Sequence, residues 1–250
     1  MATPLFTALL RLADDHLILG HRLSEWCGHA PMLEEDLALP NIALDLIGQA
    51  RALYTYAGEV EGAGRDEDAL AYGRHERGYV NALICETENG DFARTMYRQC
   101  VFAVFMGRFW EAAVTSSDPT LAAIAAKARK ETAYHIRHSA EWVIRMGDGT
   151  DESTRRMRDA ATYLAPYIGE LFEADTVTDA LSADGIWPDP PALQSGWIAD
   201  MTPILDQALL PMPDLGFAHT GGRQGVHTEG MGYLLAELHY MQRAYPGLTW

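Results

Sequence analysis

The sequence predicts an all-α fold, organised as a four-helix bundle with additional peripheral helices. Apolar residues recur at steps of three and four along most of the chain, the period of one face of an α-helix. Four predicted helices are long, at roughly 24 residues or 36 Å each, and short connections join them in two pairs. The 250 residues suffice for one substantial core. No stretch resembles a linker, so we predict a single domain over residues 1–250.

Residues that start and stop helices bound the predicted elements. The first helix ends before Pro31, because proline cannot continue a helix. The fourth begins with Asp118 as N-cap and Pro119 in the first turn, and it ends at the glycines of 147–149. The predicted helices span residues 5–27, 34–58, 66–81, 91–114, 119–146, 152–173, 192–208 and 228–244.

Composition and charge exclude several classes of protein. The net charge of −16 repels phosphate backbones and anionic lipid, so we predict neither nucleic acid nor a membrane as partner. No apolar run reaches the roughly 18 residues of a membrane span, and the N-terminus lacks the pattern of a secretory signal. Three cysteines without a CxxC pair indicate reduced thiols in a cytoplasm. An anionic small molecule would need a local basic patch, such as Arg155, Arg156 and Arg158.

The fourth helix carries the strongest chemical signal. Glu131, His135 and His138 lie at helical spacing on its predicted inner face. Burying a carboxylate and two imidazoles is costly unless they pair with other groups or bind a metal. The second helix adds Asp45 and Gln49 to the same interior. Together these residues predict a polar cluster inside the bundle.

The spacing of the cluster departs from that of di-iron bundles. Such sites take a Glu from each of two helices and a Glu-x-x-His from each of the other two. Here no histidine has an acidic residue three positions before it, and His135 follows Glu131 by four. The third helix has no carboxylate between residues 92 and 110, where Gln99 is the inner polar residue. Two irons need anionic ligands for about four positive charges, so we predict no metal and no catalytic residue in this chain.

Three interpretations of the cluster remain open. The first is a hydrogen-bonded network that fixes helix register. The second is an intact di-iron site, and the third is a single-metal site of Glu131, His135 and His138. The spacing favours the network, whose expected members are Asp45, Gln49, Arg51, Glu131, His135 and His138.

Two further features admit a functional and a structural interpretation. The glycine-rich segment 221–229 enters a helix, so its free N–H groups could cradle an anion together with Arg223. The alternative, which the sequence favours, is a tight turn that His227 or Thr228 closes. Trp250 could anchor a partner, since tryptophan is enriched at interface hot spots, or could simply pack.

Four segments resemble the non-catalytic ferritin-like components of phenylacetyl-CoA ring-1,2-epoxidases, the bacterial multicomponent monooxygenases of aerobic phenylacetate degradation. The resemblance runs nearly end to end, and its motifs are long enough to be specific. The segments are 24–31 (SEWCGHAP), 44–51 (LDLIGQAR), 130–135 (KETAYH) and 221–229 (GGRQGVHTE).

The resemblance implies a ferritin-like fold and a role without catalysis. In that family a related catalytic component holds the di-iron centre and the substrate, a reductase delivers electrons from NADPH, and the non-catalytic component maintains the integrity of the catalytic one. It also implies contacts of this chain with the CoA ester. The matching positions are Gly78, Tyr79, Val80 and Asn81 in one segment and Asp179, Ala180 and Leu181 in another.

Two hypotheses of function therefore stand side by side. In the first, the chain is a cytoplasmic structural subunit that forms a heterodimer and higher assemblies with the catalytic component of the epoxidase, or a homodimer when alone. In the second, it is a self-sufficient metal-dependent oxidase or oxygenase that uses Glu131, His135 and Asp45. These two differ in the metal content that they predict for the isolated chain. A third possibility is a stand-alone homodimer with another partner.

Overall fold

The computed structural model describes residues 3–248, and within that range it contains α-helices and short 3-10 turns but no strand. The prediction of an all-α fold is confirmed. The 3-10 turns are Glu76–Gly78, Gly169–Phe172 and Gly222–Gln224. The helices are α1 (Pro4–Ser24), α2 (Leu33–Glu61), α3 (Glu67–Tyr72), α4 (Leu83–Glu86), α5 (Phe92–Ala113), α6 (Pro119–Gly147), α7 (Asp151–Ile168), α8 (Thr176–Ala183), α9 (Pro190–Gln207), α10 (Glu229–Leu238) and α11 (Tyr240–Ala244).

Two antiparallel helix pairs form the bundle. Helix α1 packs along α2, and α5 packs along α6. The α1–α2 packing is tight at Gly20, where an added Cβ would lie 3.3 Å from the carbonyl oxygen of Ala43. Large side chains such as Leu17, Phe102 and Trp110 fill the space between the pairs and are fully buried. Helices α7 and α9 cover the outside of α5.

Side-chain caps set the start of several helices, as the sequence predicts for α6. Asp118 accepts a hydrogen bond from the N–H of Leu121 at 2.9 Å, which begins α6. Asp91 accepts one from the N–H of Arg94 at 3.0 Å, which begins α5. Each bond satisfies a backbone N–H that has no partner inside the helix.

The helix predicted over 66–81 is wrong beyond Tyr72. The N–H of Val80 donates to Asp14 at 2.8 Å, and the N–H of Ala82 donates to Asp15 at 2.6 Å. Because buried carboxylates of α1 take these donors, the backbone there is extended rather than helical. The short helices α4 and α8 lie in stretches where the apolar periodicity of the sequence predicts no helix. The last predicted helix is interrupted at His239, whose ring hydrogen-bonds to the Tyr79 hydroxyl at 2.6 Å.

Two of the three cysteines lie in the core. Cys85 and Cys100 are buried, but Cys27 is exposed because α1 ends at Ser24, before it. All three thiols are free. Trp250, the suggested anchor, lies outside the described residues.

None of the helices within residues 3–248 combines the length and the apolar character that crossing a membrane requires.

Replacing Gly147 with alanine is expected to destabilise the protein by about 1–3 kcal/mol. A Cβ there would lie 2.2 Å from the carbonyl oxygen of Ala208, so α6 and α9 would have to separate. Gly48→Ala is the matched control, because no atom of the described part of the chain lies within 4 Å of a Cβ at Gly48. Urea unfolding followed by circular dichroism should show a lower free energy of unfolding for G147A and no decrease for G48A. Equal stabilities of the two variants would contradict the close packing of α6 against α9 at Gly147.

Candidate functional site

Three hydrogen-bonded pairs bridge the seam between α2 and α6, and we call them the polar ladder. Their order reverses between the two helices, because α2 and α6 run antiparallel along the seam. A carboxylate belongs to every pair, and an imidazole to two of them. The pairs are Glu35 Oε2 with His138 Nε2 at 2.9 Å, Asp45 Oδ2 with His135 Nε2 at 3.0 Å, and Gln49 Nε2 with Glu131 Oε2 at 2.8 Å.

The polar ladder lies at the edge of the bundle rather than at its centre. The His135 side chain is 2% exposed, whereas its partner Asp45 is 39% exposed. Glu131 and His138 are partly exposed, and Arg145, two turns beyond His138, is exposed. Of the three residues predicted on the inner face of α6, only His135 is buried, and Thr132 and Ser139 are buried in place of their neighbours Glu131 and His138.

Sequence reasoning misplaced one member of the network and missed another. Arg51 is exposed and pairs with Glu67 at 3.0 Å, outside the polar ladder. Glu35, which the sequence analysis did not include, is buried and is the hydrogen-bond partner of His138. Its position in the first turn of α2 is typical of a carboxylate that simply complements the helix dipole. Only the register between α2 and α6 could identify its partner.

A second group of polar side chains lies at the bundle centre. His16 of α1, Gln49 of α2 and Gln99 of α5 are all buried. Within the described residues, His16 Nε2, Gln49 Oε1 and both amide atoms of Gln99 have no hydrogen-bond partner. The N–H at Nδ1 of His16 donates to the Leu12 carbonyl at 2.7 Å. That bond fixes the tautomer and leaves the Nε2 lone pair of a neutral imidazole in the interior.

The donor set does not fit a two-metal carboxylate site. Helices α1 and α5 contribute the neutral His16 and Gln99 where such a site requires carboxylates. The pairs of the polar ladder extend from residue 131 to residue 138 of α6, about 10 Å along the axis, whereas paired metals lie about 3.5–4 Å apart. Within residues 3–248 no three His, Cys, Asp or Glu side chains converge in an arrangement that could hold a metal ion. The carboxylates and imidazoles of the polar ladder instead make hydrogen bonds across the seam between α2 and α6.

Burial favours the neutral form of His16 and His135. Burial lowers the pKa of His16 to about 4, although the Leu12 carbonyl and the Gln49 side chain act in the opposite direction. Burial also lowers the pKa of His135, against the hydrogen bond and the charge of Asp45. The unfolded chain therefore binds more protons than the folded one between pH 4 and 6.5 at His16.

Replacing His16 with glutamine should remove part of the acid sensitivity of the fold. The folded pKa lies below the unfolded value, so the stability associated with neutral His16 is lost as pH falls from about 6.5 to 4. The shift corresponds to about 3 kcal/mol in that window. Urea unfolding at several pH values measures the free energy of unfolding of both proteins. As the pH falls from about 6.5 to 4, the wild type should lose up to about 3 kcal/mol more of that free energy than H16Q. Parallel pH profiles would contradict a neutral buried His16.

The glycine-rich segment is a tight turn held by buried charges. Arg223 pairs with both carboxylate oxygens of Asp15 at 2.9 Å, and the N–H of Gly222 donates to Glu170 at 2.8 Å. Gly225 has φ +74°, a conformation that glycine adopts without strain. Since protein carboxylates already occupy Arg223 and the N–H of Gly222, the structure favours the turn over the anion cradle.

His227 closes this turn as a double donor. Its Nδ1 lies 2.7 Å from Glu86 and its Nε2 lies 2.9 Å from the Tyr79 carbonyl. Both partners are acceptors, so the ring is an imidazolium. Its pKa is raised, because Glu86 outweighs the burial that alone would lower it.

The first segment matched to CoA-ester contacts flanks α1. Gly78 is exposed and Val80 is half-buried. The side chains of Tyr79 and Asn81 are fully buried. Tyr79 donates to the Ala71 carbonyl at 2.5 Å. Ligand contact at this segment would therefore use backbone groups or follow a rearrangement.

The second segment lies in α8 on the same flank. Asp179 and Ala180 are exposed, and Leu181 is buried. A cavity of about 90 Å³ opens beside the first turn of α8. Its charged lining residues are Arg11, Asp15, Glu170, Glu173, Asp175 and Arg223. Four carboxyl groups against two guanidinium groups make this cavity unsuited to phosphate groups, so only the uncharged part of a CoA ester would be compatible with it.

The similarity of this chain to known proteins covers nearly its whole length, including the site. The phenylacetic acid catabolic protein family matches residues 1–250. The C subunit of the 1,2-phenylacetyl-CoA epoxidase of Escherichia coli (strain K12) is 47% identical over 241 residues, which is 96% of this chain and 97% of that protein. The similarity therefore includes the helices that carry the polar ladder and the central polar residues.

Proposed function

Because this chain belongs to the phenylacetic acid catabolic protein family, we propose that it is the non-catalytic structural subunit of a phenylacetyl-CoA 1,2-epoxidase. In this role it binds and stabilises the catalytic subunit, which holds the di-iron centre. A separate reductase supplies electrons from NADPH, and the chain itself carries no cofactor. The observation that carries the proposal is the neutral donor set at the bundle centre, where His16, Gln49 and Gln99 stand.

An exposed apolar stripe along α2 supports a partner-binding role. Leu33 is 70% exposed, Leu44 is 65% exposed, and Leu37 lies between them on the same face. Tyr134 of α6 is also exposed beside the seam. Large apolar side chains grouped on one surface mark protein interaction sites. We call this surface, made of Leu33, Leu37, Leu44, Gly48 and Tyr134, the α2 face.

Gly48 extends the α2 face toward a shallow groove between α2 and α6. It is exposed in the middle of a 29-residue helix, where glycine costs about 1 kcal/mol relative to alanine. The groove also includes Ala52, Thr120 and Ile124. Close approach of a partner helix would account for a glycine at this point, because none of the residues that the structure describes lies within 4 Å of a Cβ there.

The polar ladder fits a scaffolding role. Buried hydrogen-bonded pairs can fix the register of two helices, and here they connect α2, which carries most of the α2 face, to α6. The partner would then meet a surface of defined shape. The heterodimer with the catalytic subunit is the assembly we propose, with higher assemblies built from it. Self-association through the same face would give a homodimer when the catalytic subunit is absent.

Two further parts of the proposal concern substrate and location. Contact with the CoA ester would involve the flank of α1 where residues 78–81 and 179–181 lie, through groups that carry no phosphate. A cytoplasmic location agrees with the three free cysteines, since reducing compartments keep thiols unpaired.

The alternative is a self-sufficient oxidase or oxygenase with metal held by Asp45, Glu131 and His135. The hydrogen bond between Asp45 and His135 is the observation in its favour, because a carboxylate beside an imidazole is a common pair of metal ligands. However, Glu131 is bonded to Gln49 instead, so the three groups do not converge.

Co-expression with a tagged catalytic subunit tests the proposal. We expect the wild-type chain to co-purify in equimolar amount and to raise the soluble yield and the iron retention of its partner. Leu44→Glu places a charge on the α2 face and should abolish co-purification. Ile198→Glu, at an exposed apolar position of α9, is the matched control and should behave as wild type. A catalytic subunit that is equally soluble and iron-loaded without this chain would refute the proposal.

A further inference from the structure

A groove separate from the α2 face lies between α7 and the segment that follows α9. Its volume is about 580 Å³, within the range of sites that bind small molecules. Helix α5 forms its floor through Tyr97. The lining residues are Tyr97, Arg158, Ala161, Thr162, Ala165 and the run 209–214.

The walls of the groove are mostly apolar. Ala161 and Ala165 lie one turn apart on α7, opposite Leu209 and Met212. Pro211 and Pro213 carry no backbone N–H, so the segment 209–214 presents few donors to the groove. An apolar ligand body would replace water here without leaving many polar groups unpaired.

Leu209 is held in a conformation that disfavours its side chain. Its φ of +54° is the only positive value at a non-glycine residue within residues 3–248. The N–H of Leu210 donates to the Leu205 carbonyl at 3.0 Å and that of Leu209 to the Asp206 carbonyl at 3.3 Å. This is the Schellman ending of a helix, and glycine is the usual residue at the position of Leu209. A leucine there costs backbone strain, but it supplies an exposed apolar side chain to the groove.

The polar groups of the groove favour an anion. Arg158 of α7 is exposed and forms no ion pair within the described residues, whereas its neighbours Arg155 and Arg156 both pair with Glu152. Asp214, the carboxylate of the lining, already accepts the N–H of Gly216 at 2.9 Å. Tyr97 is fully buried, and its hydroxyl has no hydrogen-bond partner.

We propose that this groove binds a small carboxylic acid with an apolar body, such as an aryl or medium-chain alkyl carboxylate. The carboxylate pairs with Arg158 at the rim, and the apolar body packs between Ala165 and Leu209. A single unpaired cation suits one carboxylate rather than the several charges of a phosphate ester. The site is independent of partner binding, because α7 and α9 lie away from the α2 face.

Fluorine NMR titration of the full chain with 4-fluorophenylacetate tests the proposal. We expect saturable binding that is weakened about fivefold by Arg158→Gln, since an exposed ion pair contributes little. Leu209→Gly should weaken binding by a similar factor while leaving the melting temperature unchanged or higher. Weaker binding by L209G at an unchanged melting temperature would show that the site is lost while the fold is kept.

Matched controls sharpen the outcome. Arg155→Gln, an exposed arginine on the same helix, should bind like wild type, octanoate should displace the probe, and 4-fluorophenethylamine should not bind. Absence of saturable binding up to about 10 mM would overturn the proposal. So would wild-type affinity in either R158Q or L209G, or equal binding of the amine.

Discussion

Replacing Arg223 with methionine is expected to lower the free energy of unfolding by about 3–5 kcal/mol. Arg223 supplies the counter-charge to Asp15, a residue with no exposed surface. Burial already raises the pKa of Asp15, and the charge of Arg223 opposes that shift. Without the guanidinium, a buried carboxylate remains unpaired, and the segment 221–229 loses its main contact with α1. Urea unfolding followed by tryptophan fluorescence measures the loss.

Two further variants isolate the charge effect from the loss of packing. Asp15→Asn combined with Arg223→Met removes both charges and should recover at least half of the lost stability, because an amide oxygen can still accept the N–H of Ala82. Arg155→Met breaks only exposed ion pairs on α7 and should change stability by less than about 1 kcal/mol. If R223M cost no more than R155M, the buried pair would not be a determinant of the fold.

Gly48→Leu is expected to weaken binding of the catalytic subunit at least tenfold while leaving the isolated chain as stable as wild type or more so. Within residues 3–248 no atom lies within 4 Å of a Cβ at Gly48, and leucine favours the helix over glycine by about 0.8 kcal/mol. A partner helix packed against the α2 face would instead meet a bulky side chain. Surface plasmon resonance with the immobilised catalytic subunit gives the affinity, and thermal unfolding gives the stability of the free chain.

The comparison variant for this experiment is Gly232→Leu, on α10 away from the α2 face. It should leave the affinity for the catalytic subunit at the wild-type value. An unchanged affinity in G48L as well would place the partner elsewhere on the molecule. Since both variants are judged on affinity together with stability, a misfolded protein cannot be mistaken for a lost interface.

The long helices could be predicted from the sequence because their signals are local. The stripe of α1, the Asp118 cap of α6 and the apolar run of α5 each act within a few residues. The extended stretch at 79–82 could not be predicted, because Asp14 and Asp15 hold it from more than sixty residues away. The break at His239 likewise depends on a distant hydroxyl, that of Tyr79.

For the site, too, the features that depend on one helix could be predicted from the sequence, and those that depend on distant residues could not. Two features of the site are properties of single helices and could be predicted from the sequence. They are the spacing of Glu131 and His135 and the absence of carboxylates along 92–110. The pairing of His138 with Glu35 depends on the register of α2 against α6, and that register comes from packing. The spacing predicts Glu131 and His138 on the inner face of α6, but their neighbours Thr132 and Ser139 are buried instead. The polar ladder therefore lies at the edge of the bundle, where Asp45 reaches solvent.

Metal analysis combined with a turnover assay tests the central claim most directly. The chain should be purified alone and with the catalytic subunit from cells grown with ample iron, and each sample should be assayed with phenylacetyl-CoA, reductase and NADPH. We predict less than about 0.1 iron per isolated chain and no epoxidation, with iron and activity only in the complex, since the donors at the bundle centre, His16, Gln49 and Gln99, are neutral. Stoichiometric iron in the isolated chain, lost on Glu131→Ala or Asp45→Ala, together with turnover, would contradict this account.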